Sequence, residues 1–269
     1  MLASGEARNA LLIDLDGVIY QSGHLIAGAT DALDWIKKQH IPQLFVTNTT
    51  SRPRAALLKK CETMGFSVSP DEVMTPAIAA AQWLADHRLQ KAALFVPPAT
   101  AQDFNRVEAI ALDSDAAVDA VVIGDLGEAW DFALLNRAFQ MLMREPRPRL
   151  IALGMTRYWR GKNGLQLDVA PFVKALEHAA SCEAVVVGKP APAFFEAALE
   201  MLGTSADRAL MIGDDIAGDV DAAQRCGIRG IQVKTGKFRD ADLDGSIKPF
   251  ALLDSFADLP AWWRQTLSG

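Results

Sequence analysis

The sequence predicts an α/β protein built on a parallel β-sheet, with a second α/β domain inserted into it. Three features carry that expectation. Short apolar runs ending in acids or glycine alternate with stretches of helical periodicity; the texture changes at about Met74; and the first texture resumes near Glu183. The expected boundaries are 1–75 with 183–269 for the core and 76–182 for the insert.

The first run, Ala10 to Tyr20, reads ALLIDLDGVIY. Leu11, Leu12 and Ile13 lead into Asp14, one apolar residue separates it from Asp16, and Gly17 turns the backbone. A short apolar run closed by glycine suits a central strand covered on both faces, and ligands gather at the carboxyl ends of such strands. Two acids there need a cation or a proton to compensate them, unless they are simply solvated. Ala29, Ala32, Leu33 and Ile36 then share a helical face, and Ile41 to Val46 reads as the next strand, completing a βαβ unit. It ends in Thr47-Asn48-Thr49-Thr50-Ser51. Hydroxyls with free N–H groups at a helix start can cradle phosphate; equally, Ser51 can cap a helix with Pro53 in its first turn. That helix carries Leu57, Leu58, Cys61 and Met64 and should stop at Gly65.

The insert reads as a helix from Pro76 to His87, strands Ala92 to Val96 and Ala120 to Ile123, a helix Trp130 to Met143, a strand Leu150 to Leu153 and a closing helix Pro171 to Ala180. No strand in it ends in paired acids. Beyond it, Ala184 to Val187 reads as a strand returning to the core, Gly188-Lys189-Pro190 turns, and Phe194, Phe195, Ala198, Leu199 and Leu202 line a helix. Ala209 to Ile212 is a buried strand delivering Gly213-Asp214-Asp215, with Asp219 near the start of the next helix. Gly230 to Val233 is a last strand, and Trp262-Trp263 suits an anchor for a terminal helix.

Composition narrows the function. Half of the 269 residues are hydrophobic, 22% are charged and the net charge is −6, a globular balance without the basic face that nucleic acid requires. No apolar run approaches the roughly 20 residues of a membrane span, and no signal peptide is evident, so a soluble cytoplasmic protein is expected. Cys61, Cys182 and Cys226 read as reduced core residues. The histidines show neither zinc spacing nor an adjacent nucleophile.

Two buried strands, one near each end of the chain, therefore end in acids, and Lys189 follows a glycine between them. Side by side in a parallel sheet they would gather Asp14, Asp16, Asp214 and Asp215. So many carboxylates coexist around a divalent cation, and all-oxygen ligation favours Mg²⁺. With Lys189 and the Thr47 hydroxyl this describes a site for a phosphoryl group.

These residues resemble the haloacid dehalogenase (HAD) superfamily of phosphohydrolases through DLDGV (Asp14 to Val18), VTN (Val46 to Asn48), GKP (Gly188 to Pro190) and GDD with a later Asp (Gly213 to Asp219). The resemblance implies a Rossmann-like parallel-sheet core with an inserted α/β cap of type II, subclass A. That is the arrangement of NagD and of the nitrophenyl, phosphoglycolate and pyridoxal phosphate phosphatases. Along Arg157 to Ala179 and from VGKP through KTGKFR the chain looks most like the HAD-like hydrolase domain-containing protein 2 group and the phospholysine phosphohistidine inorganic pyrophosphate phosphatases.

By that resemblance Asp14 attacks phosphorus and becomes an aspartyl-phosphate, while Asp16 protonates the leaving oxygen and then takes a proton from water. Mg²⁺ is held by Asp14, Asp214 and the backbone carbonyl of Asp16, with Asp215 and Asp219 behind them. Thr47 and the backbone at Asn48 hold phosphate oxygens, and Lys189 neutralises the transferring group. The expected partner is a small phosphorylated substrate, with no nucleic acid and no membrane, and a homodimer is a candidate assembly.

A phosphotransferase would share the intermediate and differ only in its acceptor. A true dehalogenase would not need Asp16. A receiver-like signalling module would be about half this length, and its order of acids would differ. Specificity is expected from the insert, where Thr156-Arg157-Tyr158-Trp159-Arg160 interleaves cationic and aromatic side chains before Gly161. Arg157 and Tyr158 could read a ring or a second anion, or the segment could be a hairpin whose aromatics only pack.

Overall fold

The structure is a computed structural model that describes residues 9–161 and 164–267, without the side chains of Arg160 and Gly161. Two compact units divide the chain. The first takes in the chain to Thr47, Leu58–Met74 and Phe195 onward; the second takes in Asn48–Leu57 and Thr75–Phe194.

A six-stranded, wholly parallel sheet forms the first unit. Its spatial order is Ala251–Leu253, Arg229–Val233, Ala209–Gly213, Ala10–Asp14, Gln43–Val46, Val73–Met74. The run from Ala10 to Ile13 is fully apolar and buried because it lies in the middle of that sheet, with covered faces on both sides. Ile13 stands opposite Ile212, and Asp14 opposite Val46, so the acid-bearing ends of two adjacent strands finish at the same level. The helix Ala29–Lys38 buries Ala29, Ala32, Leu33 and Ile36, the face that its periodicity marks. Its Trp35 meets Trp263 of the terminal helix Leu259–Thr266 edge-on, with centroids 6.1 Å apart, and Trp262 meets Phe250 in the same way. The tryptophan pair is thus a packing anchor.

The second unit carries a five-stranded parallel sheet in the order Val185–Val186, Arg149–Ala152, Ala120–Ile123, Lys91–Phe95, Glu108–Ile110. Phe95, Val121, Ile123 and Leu150 pack with Met141, Leu142, Val173 and Leu176 from the helices Phe132–Leu142 and Val169–Ala180. Asp168 caps the latter helix by accepting from the Val169 N–H at 2.7 Å, so it begins two residues before the expected Pro171.

One strand falls in a different sheet from the one expected. Val185–Val186 pairs with Ile151 and Ala152 at the edge of the five-stranded sheet and does not return to the larger one. The two valines are half-buried, as befits an edge strand, and two residues of apolar sequence do not specify a partner sheet.

Candidate active site

The larger sheet brings Asp14, Asp214 and Asp219 together. All three are buried, and one carboxylate oxygen from each lies within 4.8 Å of the others. Two glycines make the approach possible. Gly17 (φ +89°) has no room for a Cβ, which would overlap the Asp214 carboxylate, and a Cβ on Gly213 would overlap the Asp219 side chain.

The converging set differs from the expected group of Asp14, Asp16, Asp214 and Asp215. Asp16 lies two residues past the strand end and is exposed. Asp215 turns its carboxylate onto its own backbone: Oδ1 accepts from the N–H of Gly218 at 2.8 Å and of Ala217 at 3.2 Å, starting the π-helical turn Ile216–Asp221. Burial works against that carboxylate, but the Gly218 N–H, the nearby Lys237 ammonium and the Ala217 N–H outweigh it and hold Asp215 below the usual carboxylate range. The turn then swings Asp219, with its N–H donating to the Asp215 carbonyl at 2.9 Å, back over Gly213. Asp219 is 2% exposed and stands beside Asp14 and Asp214, a placement that the spacing between 215 and 219 does not reveal.

Thr47 is buried at the end of its strand, and its N–H continues the ladder to the Met74 carbonyl at 3.2 Å. In the second unit, Asn48 Nδ2 donates to the Lys189 carbonyl at 2.8 Å, joining the VTN and GKP segments across 141 positions of sequence. Lys189 is buried, and Gly188 is pressed so closely against the Leu153 carbonyl that no side chain would fit. Arg157 and Tyr158 lead into a hairpin, Tyr158–Gly161 with Gly164–Leu167. Tyr158 is 53% and Trp159 46% exposed within that unit, so these aromatics do not belong to its interior, and the Arg157 guanidinium lies 5.9 Å from the Tyr158 ring centroid.

One group is absent from the sequence expectation. The turn Thr235-Gly236-Lys237, after the strand Arg229–Val233, reaches the same acids: the Lys237 N–H donates to Asp214 Oδ2 at 2.7 Å. A glycine at the carboxyl end of a parallel strand was the available signal.

Three buried carboxylates, all hard oxygen donors, suit a hard divalent cation better than a soft transition metal. Residues 11–107 match the haloacid dehalogenase-like hydrolase model, and residues 186–259 match the HAD-hydrolase-like model. The human phospholysine phosphohistidine inorganic pyrophosphate phosphatase is 42% identical over 236 residues, 86% of this chain and 85% of the relative. The chain belongs to the haloacid dehalogenase-like hydrolases. The bovine haloacid dehalogenase-like hydrolase domain-containing protein 2 is 38% identical over 95% of both chains. Among solved structures, the p-nitrophenyl phosphatase from Archaeoglobus fulgidus matches with a TM-score of 0.85 and 25% identity, over 95% of this chain and 99% of its own. This HAD chain is an enzyme of the phosphatase kind, and no helix among its described residues is long and apolar enough to cross a membrane.

Proposed function

We propose that this HAD protein is a Mg²⁺-dependent phosphatase of small phosphorylated metabolites, working through an aspartyl-phosphate on Asp14. The observation that carries the reading is the convergence of the Asp14, Asp214 and Asp219 carboxylates at the carboxyl edge of a parallel sheet. Such a set is costly to bury without positive charge. Asp14, Asp214 and the backbone carbonyl of Asp16 would hold the cation, with the Asp219 carboxylate close enough to join them and Asp215 supporting the turn that carries it. A cation bound there supplies charge neutralisation for the acids and the phosphoryl oxygens.

The chain's own residues do the rest. A carboxylate oxygen of Asp14 forms the new bond to phosphorus as the bond to the leaving oxygen breaks, and Asp16 gives that oxygen its proton. Asp16 then takes a proton from water, whose oxygen attacks phosphorus and releases phosphate and the Asp14 carboxylate. Thr47, Asn48 and Lys189 would bind the phosphoryl oxygens. Residues 76–182 would act as the specificity cap on a core of 1–75 and 183–269, with Arg157 and Tyr158 reading the substrate. The human relative's name places phosphoamides and pyrophosphate beside phosphomonoesters among the substrates to try. The reading locates the protein in the cytoplasm, with a homodimer as the assembly to test.

Turnover of 4-nitrophenyl phosphate tests this. Nitrophenol and phosphate should appear in equal amounts, stop with chelator and resume with Mg²⁺. Turnover that persists in chelator removes the cation from the reading, and nitrophenol in excess of phosphate identifies a phosphotransferase.

A further inference from the structure

We infer that the turn Thr235-Gly236-Lys237 is a positioning clamp for Asp214: it sets the rotation of that carboxylate and its spacing from the loop after Asp14. The inference rests on the reading that these acids hold a divalent cation. Three contacts from one short turn support it. The Lys237 N–H donates to Asp214 Oδ2 at 2.7 Å, a charge-assisted bond that bears directly on the rotation of that carboxylate. The Thr235 hydroxyl donates to the Gly17 carbonyl, tying the turn to the loop three residues beyond Asp14. Gly236 (φ +63°) fills the gap between the two, where a Cβ would overlap both the Asp214 carboxylate and the Gly17 backbone.

The backbone of Asp214 is held from the same strand. Gln232, fully buried, donates from Nε2 to the Asp214 carbonyl at 2.8 Å and to the Val233 carbonyl at 3.0 Å. Asp214 is therefore pinned at its main chain by Gln232 and at its side chain by Lys237. The Lys237 ammonium also pairs with Asp215 Oδ2 at 3.2 Å, but that side chain is 72% exposed, and an ion pair so open to water contributes little. The clamp is thus the main chain of the turn together with the Thr235 hydroxyl. Groups that orient metal ligands in this way typically change affinity by about 10–100-fold when lost.

The test is calorimetric titration of Mg²⁺ into the whole protein without substrate, beside the melting temperature of each variant in chelator. Gly236→Ala should weaken binding at least about tenfold, because its Cβ must displace Asp214. Thr235→Val should weaken it by a few-fold or more with little change in melting temperature, and Thr235→Ser, which keeps the hydroxyl, should restore it. Lys237→Ala, which keeps the N–H, should change it by less than about threefold. If the wild type binds Mg²⁺ and both Gly236→Ala and Thr235→Val bind it equally well, the clamp is overturned. A loss in Lys237→Ala equal to that in Gly236→Ala also overturns it, in favour of the ion pair. Should Gly236→Ala fail to fold, Thr235→Val against Thr235→Ser decides. A wild type that binds no divalent cation overturns the underlying reading itself, and the clamp with it.

Discussion

Asp14 and Asp16 are separated by a single residue and meet opposite surroundings, one buried among carboxylates and the other exposed. Their substitutions should therefore fail differently. Asp14→Asn keeps the shape but loses the attacking oxygen's charge, so turnover should fall by more than about a thousandfold with the circular dichroism unchanged. Asp16→Asn should slow release more than attack when the leaving group needs no proton, so that acid-quenched protein incubated with 4-nitrophenyl phosphate gains the mass of one phosphoryl group. Near-normal rates with an alkyl phosphate would remove Asp16 as the acid and base. That Asp14 and Asp214 would meet was legible in the sequence, because each follows an apolar run that reads as a buried strand of one parallel sheet. The placement of Asp219, and not Asp215, beside those two acids was not. Asp215 and Asp219 lie within one turn of the same helix start, and only the π-helical path and the bare Cα of Gly213 decide which carboxylate faces Asp14.

At the scale of elements, strand and helix interiors followed their periodicity, while their ends followed caps supplied by tertiary neighbours. Glu72 is one such cap. Its Oε2 accepts from the Ser69 N–H at 3.0 Å and from the Ser69 hydroxyl at 2.9 Å, and its Oε1 accepts from Gln43 Nε2 at 3.1 Å, joining the short helix Pro70–Glu72 to the strand Gln43–Val46. Burial would raise its pKa, but the Ser69 N–H, the Gln43 amide and the Ser69 hydroxyl outweigh that and hold it below the ordinary value. A folded pKa below the unfolded one means that the ionised cap stabilises fully above about pH 4.3 and that the contribution is lost as pH falls through the folded value. Glu72→Gln should therefore cost about 1 kcal/mol at neutral pH, and the gap to wild type should close in acid. Urea unfolding of both proteins from about pH 6 to pH 3.5 measures it; a gap that stays constant would assign the loss to shape rather than charge. The Ser69 contact is local to the turn, whereas the Gln43 contact, from 29 positions away, comes only from the fold.

For the molecule as a whole, a parallel-sheet core with a second α/β unit inserted into it was readable from the order of textures, whereas the parallel pairing of the second sheet came only from the structure. The sheet membership of Val185–Val186 was not, because strand pairing is a tertiary choice that two valines do not encode. The exposed Tyr158 and Trp159 belong to this scale as well, since nothing in their own unit buries them. Arg157→Ala and Tyr158→Ala should change relative kcat/KM across a panel of phosphometabolites while sparing 4-nitrophenyl phosphate, which has little beyond its phosphoryl group to be read. A uniform fall across the panel would return the segment to packing. The central place of the first strand has a consequence for the protein's birth. Ala10 lies opposite Ala209, so the strand that ends in Asp14 leaves the ribosome long before its neighbour exists, and one of its edges waits unpaired through the synthesis of the whole intervening domain. The acid cluster thus forms late in the nascent chain, and any product that terminates before Asp214 carries Asp14 without the two acids that converge on it.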